Sequence, residues 1–179
     1  MENRAVPKDK KKTRRMVLTA LFATIVCVAT LVIRIPTPLG GYFHMGDTTI
    51  LLAGFLLGPA AGATAGAVGS VLADFFGGYV QYVPPTLIIK GLMGYLAGLL
   101  YRRLGGNGGV REAHLGAAVL AGLVCESVMV VGYYLFALIF LRFEGAAALT
   151  IPGDVVQGLV GIVGATLLLK AFSKSSLSI

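Results

Sequence analysis

The chain has no tryptophan, only two histidines and two cysteines, and few charges: 13% of its 179 residues are Asp, Glu, Lys or Arg, against roughly 25% in a soluble domain. Each shortage excludes something. The two histidines fall in distant loops, which argues against zinc or histidine acid-base catalysis, and His44 reads as interfacial. Cys27 and Cys125 lie within apolar runs, where they act as small hydrophobic residues and not as a disulfide framework. There is no G-x-x-x-x-G-K-[ST] loop, so the chain is no ATPase, and neither H-E-x-x-H nor G-x-S-x-G occurs. So few charges leave no evident proton wire. If the chain transports, its energy comes from a partner.

What is abundant is apolar: 56% of the residues. That composition describes an integral membrane protein whose helices consume nearly the whole length, leaving room for one membrane domain and no soluble one. The formal charge of +7 comes largely from "RAVPKDKKKTRR", directly before the apolar run "MVLTALFATIVCVATLVI". A basic segment beside a first span is a topology signal and a contact for anionic lipid headgroups, and is read that way here in preference to nucleic-acid binding. The run is long for a signal-peptide core and lacks an A-x-A-like site after it, so it reads as a retained span.

Gly, Pro and charge divide the apolar sequence near residues 16–34, 47–57, 60–75, 85–101, 114–140 and 153–171. The awkward region is "GDTTILLAGFLLGPAAGATAGAVGSVLADFF", one overlong helix or two short ones. The distribution of Lys and Arg decides, because cytoplasmic loops collect them. A break at Gly58-Pro59 gives six spans and puts seven basic residues before Met16, together with Arg102, Arg103, Arg111, Lys170 and Lys174, on one side: twelve of fifteen. The expectation is therefore an all-α membrane protein with six transmembrane helices and both termini cytoplasmic. It has a basic tail over 1–15, a six-helix domain over 16–172 and a short tail over 173–179. The Gly58, Gly62, Gly66, Ser70 stripe reads as a close-packing surface.

Arg34 and Arg142 can snorkel or sit in the outer loop, but Lys90 falls inside a span. A charge at bilayer depth costs roughly 2.5 to 3.5 kcal/mol and ordinarily faces a cavity or a partner. Helical spacing aligns Thr86, Lys90, Gly94 and Ala97 on the fourth span, Glu126, Met129 and Tyr133 on the fifth, and Asp154, Gln157 and Gly161 on the sixth. Three consecutive spans thus carry a polar stripe. A small ligand entering from outside would meet Tyr79, Gln81 and Tyr82, then Gln157, Tyr133 and Lys90. Lys90 and Glu126 either neutralise each other or contact ligand. Asp154, after Pro152-Gly153, suits a helix cap as well as a site, and Asp47 in "HMGDTT" reads as a cap. Asp74 could cap, pair with Lys90 or line the entrance.

The order of "GYFHMGDTTILLAGFLLGPAAGATAGAVGSVLADFFGGY", "PPTLIIKGLMGYLAG", "ESVMVVGYYL" and "IPGDVVQGLVG" resembles the substrate-binding S components of energy-coupling factor (ECF) vitamin transporters, over roughly residues 16–171. The branch it looks most like carries a riboflavin-type name and includes members for pyridoxine or hydroxymethylpyrimidine. The resemblance implies capture of a water-soluble vitamin or precursor from outside, and delivery inward with a transmembrane coupling protein and two ABC ATPases. Those partners use ATP; the chain itself needs no cofactor and is not an enzyme. It also implies a prokaryotic cytoplasmic membrane. Carried onto this sequence, the ligand contacts become Lys90, Glu126, Tyr133 and Gln157, with Asp74, Tyr79, Tyr82 and Asp154 around them.

Two departures stand out. The family's Ala-x-x-x-Ala docking motif on the first helix is replaced by Thr19, Ala23 and Cys27, or by Ala20 and Thr24. Asp154 stands where Asn is frequent, and Asp accepts but cannot donate. Without tryptophan, ring stacking falls to Tyr or Phe, unlike in the thiamine-specific members. Pyridoxine, hydroxymethylpyrimidine and pantothenate all remain open as ligands. Two other classes stand beside this reading: a small membrane enzyme using Asp74, Glu126 and Asp154 on a lipid-like substrate, and a ligand-free assembly subunit.

Overall fold

The computed structural model describes residues 8–37, 41–106 and 113–174. The first seven residues of the basic tail, Arg111 and the end of the C-terminal tail lie outside the described residues.

Among the described residues six α-helices run in chain order: α1 (Lys8–Val32), α2 (Gly46–Leu57), α3 (Pro59–Gly77), α4 (Val83–Arg103), α5 (Leu115–Ile139) and α6 (Ile151–Lys174). Five are long and apolar enough to cross a membrane; α2, with 12 residues, is not. At 1.5 Å per residue it is about 18 Å long. Every one of its residues is buried, including Asp47, Thr48 and Thr49. A short helix survives here because α1, α3, α4 and α6 surround it and no backbone reaches lipid. The break falls at Gly58, whose φ of 88° suits glycine, and Pro59 opens α3 at a position needing no donor.

Gly62 and Gly94 let α3 and α4 touch backbone to backbone. A Cβ on Gly94 would lie 2.2 Å from the Gly62 carbonyl oxygen, and one on Gly62 would lie 2.4 Å from that of Gly94. The glycine stripe of α3 is a packing surface against α4, and it fixes where Lys90 points.

Two details differ from the sequence reading. The helix α1 begins at Lys8, inside the segment read as a tail. Lys and Arg are good helix formers, and Arg15 donates a 3.2 Å bond to the Leu57 carbonyl at the end of α2. Between α1 and α2 the chain forms a small antiparallel hairpin, β1 (Arg34–Pro36) with β2 (Tyr42–His44). Together with two short 3₁₀ turns, Val80–Tyr82 and Glu144–Thr150, it closes one end of the bundle. The other end carries Arg15, Arg102 and Arg103.

Candidate ligand-binding site

A cavity of about 360 Å³ opens beneath the hairpin. Its wall is supplied by β2, the end of α3, the first 3₁₀ turn and the hairpin-side ends of α4, α5 and α6.

The floor is a connected polar network. Lys90 Nζ lies 2.5 Å from Asp47 Oδ1, with both side chains buried. Asp47 Oδ2 accepts a 2.7 Å bond from Gln157 Nε2, and Gln157 Oε1 accepts from the His44 backbone N–H at 3.0 Å. His44 Nδ1 in turn accepts from the Gly46 N–H. Lys90 Nζ also stands 5.4 Å from the centre of the Tyr133 ring. Burial, helped by Lys90 and opposed by Asp47, pushes His44 down to about 4, so the ring is neutral at physiological pH and can accept that bond.

The upper wall is less complete. Tyr42 donates to Asp74 Oδ1, and burial followed by the Asp74 charge drives its hydroxyl well above the ordinary phenol range, keeping it a donor. The Thr86 hydroxyl stands beside the carboxylate, but the other oxygen, Asp74 Oδ2, is buried with no partner in hydrogen-bond geometry among the described residues. Across the cavity, Asp154 Oδ2 is in the same condition, as are the hydroxyls of Ser70 and Thr30. Tyr82 and Tyr133 supply aromatic surface, and the Tyr133 hydroxyl bonds Thr86 Oγ1 at 2.9 Å.

The structure thus brings Lys90, Gln157, Tyr133, Asp74, Tyr82 and Asp154 to one cavity. Tyr79 is behind the wall: its ring packs 4.5 Å from that of Tyr42, and Arg34 lies over both. Glu126 is also outside the lining. It is buried lower in the bundle against Gly158 and Gly161 of α6.

Two sequence expectations, Asp47 as a cap and His44 as interfacial, need correction, and two alternatives, the partner of Lys90 and the role of Asp154, are decided. Lys90 pairs with Asp47 and not with Glu126. Asp47 is not a cap: Met45 occupies the N-cap without a side-chain bond, and both Asp47 oxygens are engaged inside the bundle. Asp154 is not a cap either, because α6 starts three residues earlier, at Ile151, and leaves the carboxylate facing the cavity. His44 is buried and not interfacial, since the hairpin folds it over α2. The signal for Asp47 was available: an acid heading a helix with no polar face has nowhere exposed to go.

On α1, Ala20 and Thr24 are exposed, while Ala23 is buried against Gly69 of α3. Thr19 and Cys27 are half-buried. Of the two stripes of small residues, the Ala20 and Thr24 stripe faces outward.

Comparison with known proteins follows the same lines. The profile of the family described as ECF-type riboflavin transporter, S component, matches residues 10–174. A protein of Pyrococcus woesei, described as an uncharacterized protein in a gap 3′ region, is 38% identical over 139 residues, covering 77% of this chain and 87% of the relative. The thiamine precursor transporter HmpT of Lactococcus lactis subsp. cremoris (strain MG1363) is 28% identical over 162 residues, covering 89% and 88%.

Proposed function

Because the chain belongs to the ECF-type riboflavin transporter S component family, we propose that it captures a small, donor-bearing heteroaromatic vitamin precursor in the cavity beneath the hairpin. It then releases the ligand inward in concert with a transmembrane coupling protein and two ATPases. The cavity faces outward in a prokaryotic cytoplasmic membrane and both termini are cytoplasmic. Supporting that orientation, Arg15, Arg102 and Arg103 gather at the end of the bundle away from the cavity, where the rule for positive loops puts the cytoplasm. The exposed Ala20 and Thr24 face of α1 is the contact for the coupling protein.

The observation that carries the ligand class is the pair of carboxylates, Asp74 and Asp154, each with a buried oxygen that has no partner among the described residues, in the lining of one cavity whose lysine is already paired with Asp47. Buried acceptors demand donors. A ligand offering N–H or O–H groups on a flat ring satisfies them and packs on Tyr82 and Tyr133. A carboxylate ligand such as pantothenate would meet two further carboxylates and no free cation in this lining. Hydroxymethylpyrimidine, with an amino group and an alcohol on one small ring, fits that demand, and the relative whose name specifies a thiamine precursor points the same way.

Mass spectrometry of small molecules released from the detergent-purified protein, followed by thermal shifts with hydroxymethylpyrimidine, pyridoxine, riboflavin and pantothenate, tests the proposal. The aminopyrimidine is expected to be retained or to give the largest shift. Riboflavin alone would reassign the substrate and leave capture standing. Pantothenate alone would contradict the reading of the wall.

A further inference from the structure

Below the cavity, away from its lining, lies a second polar group that the capture reading does not use. Glu126 on α5 is 5% exposed, and neither of its carboxyl oxygens has a hydrogen-bond partner among the described residues. The carboxyl is seated in a slot made by the absence of side chains on α6. A Cβ on Gly158 would lie 3.2 Å from Oε2, and one on Gly161 would lie 2.8 Å from Oε1 and 3.1 Å from the Asp47 Cβ. One turn further along α6, Thr48 Oγ1 abuts Gly164 and is likewise without a partner.

The charged groups around Glu126 are Asp47 from α2, Lys90 from α4 and Asp154 from α6; His44 of β2 is neutral. Lys90 is the one cation among them, and Asp47 holds it directly. An ionised Glu126 would be a buried anion with no donor, adjacent to a second anion and competing with it for the same lysine. Isolated buried carboxylates avoid that state by taking up a proton.

We infer that Glu126 is a proton-binding site within the bundle, occupied at neutral pH. Its bound proton leaves the Lys90 and Asp47 pair balanced and so keeps the floor network intact. The ligand of this slot is the proton itself, and the inference stands on the bundle interior whatever the cavity binds. The slot also explains the glycines of α6: larger residues at Gly158 or Gly161 would displace the carboxyl.

Infrared spectroscopy of the whole protein in lipid nanodiscs at neutral pH tests it, with samples grown on carboxyl-labelled [13C]glutamate to mark glutamate bands without any substitution. A protonated-acid carbonyl band that shifts with the label, and that disappears in Glu126→Gln, is the expected result. Glu144, the other glutamate among the described residues, is exposed, and a labelled band that survives in Glu126→Gln would overturn the assignment. Absence of any label-sensitive acid band in the wild-type protein would overturn the proposal without reference to the variant. So would a band that emerges only when sodium is removed, which would make the slot a cation site.

Discussion

The floor and the upper wall of the cavity contain similar residues in opposite conditions. On the floor, Asp47, Lys90, Gln157 and His44 satisfy one another through a continuous set of bonds. In the wall, Asp74 and Asp154 each keep a buried oxygen without a partner among the described residues. A buried network in which every polar atom has a partner holds together without a ligand, although the Lys90 ammonium keeps two N–H donors beyond its bond to Asp47. An unsatisfied one awaits a donor. Under the proposed function, the contrast gives Lys90, the most conspicuous residue of the sequence, the task of holding the site and the two aspartates that of reading the ligand.

The strongest way to break the contrast is to open the floor. Lys90→Met leaves Asp47 as an uncompensated buried charge and is expected to destabilise the protein by about 3 to 5 kcal/mol, read as the unfolding midpoint in detergent. Adding Asp47→Leu removes the stranded charge and should recover much of that loss. In the wall, Asp154→Asn should leave the midpoint nearly unchanged and weaken ligand binding by about 1 to 3 kcal/mol, the cost of a buried ligand donor left without its acceptor. Isothermal titration against hydroxymethylpyrimidine measures it.

The pH dependence sharpens the account of the floor. His44 titrates at about 4 in the folded protein, below its ordinary 6.5, so as pH falls through that interval the unfolded chain takes the proton first. The stability this ring contributes is complete above about pH 6.5 and lost as pH approaches 4. His44→Gln should flatten that part of the curve of unfolding midpoint against pH. The smallest effect belongs to Tyr133→Phe. It removes the hydroxyl bonded to Thr86 but keeps the ring beside Lys90, and should cost about 0.5 to 1.5 kcal/mol, again read from the unfolding midpoint.

Much of this architecture was legible in the sequence because it follows from local pattern. Gly58-Pro59 marks the break between α2 and α3, and the repeat of Gly62 and Gly66 marks their close neighbour. Lys90 announces an interior partner by the cost of its charge. Helical spacing aligned Tyr133 and Gln157 toward the same interior. What could not be read was pairing across distance. Asp47 and Lys90 are 43 residues apart, and the stripe containing each specifies a face but not which helix covers it. Glu126 shares a stripe with Tyr133, yet it lies two turns deeper, past the cavity, so shared periodicity did not mean a shared site. The hairpin was hidden because three-residue strands, one ending in Pro36, carry too short a pattern to separate from a loop. Tyr79 was placed in the cavity by its position in the entrance loop, but its ring turns back onto Tyr42.

A structure of the protein with hydroxymethylpyrimidine bound is the most direct test of the division between floor and wall. Ligand donors are expected within hydrogen-bond distance of the Asp74 and Asp154 carboxylates, with the contact between Lys90 and Asp47 unbroken. A ligand acceptor seated on Lys90 Nζ, with Asp47 released and the two wall oxygens still without donors, would contradict that division.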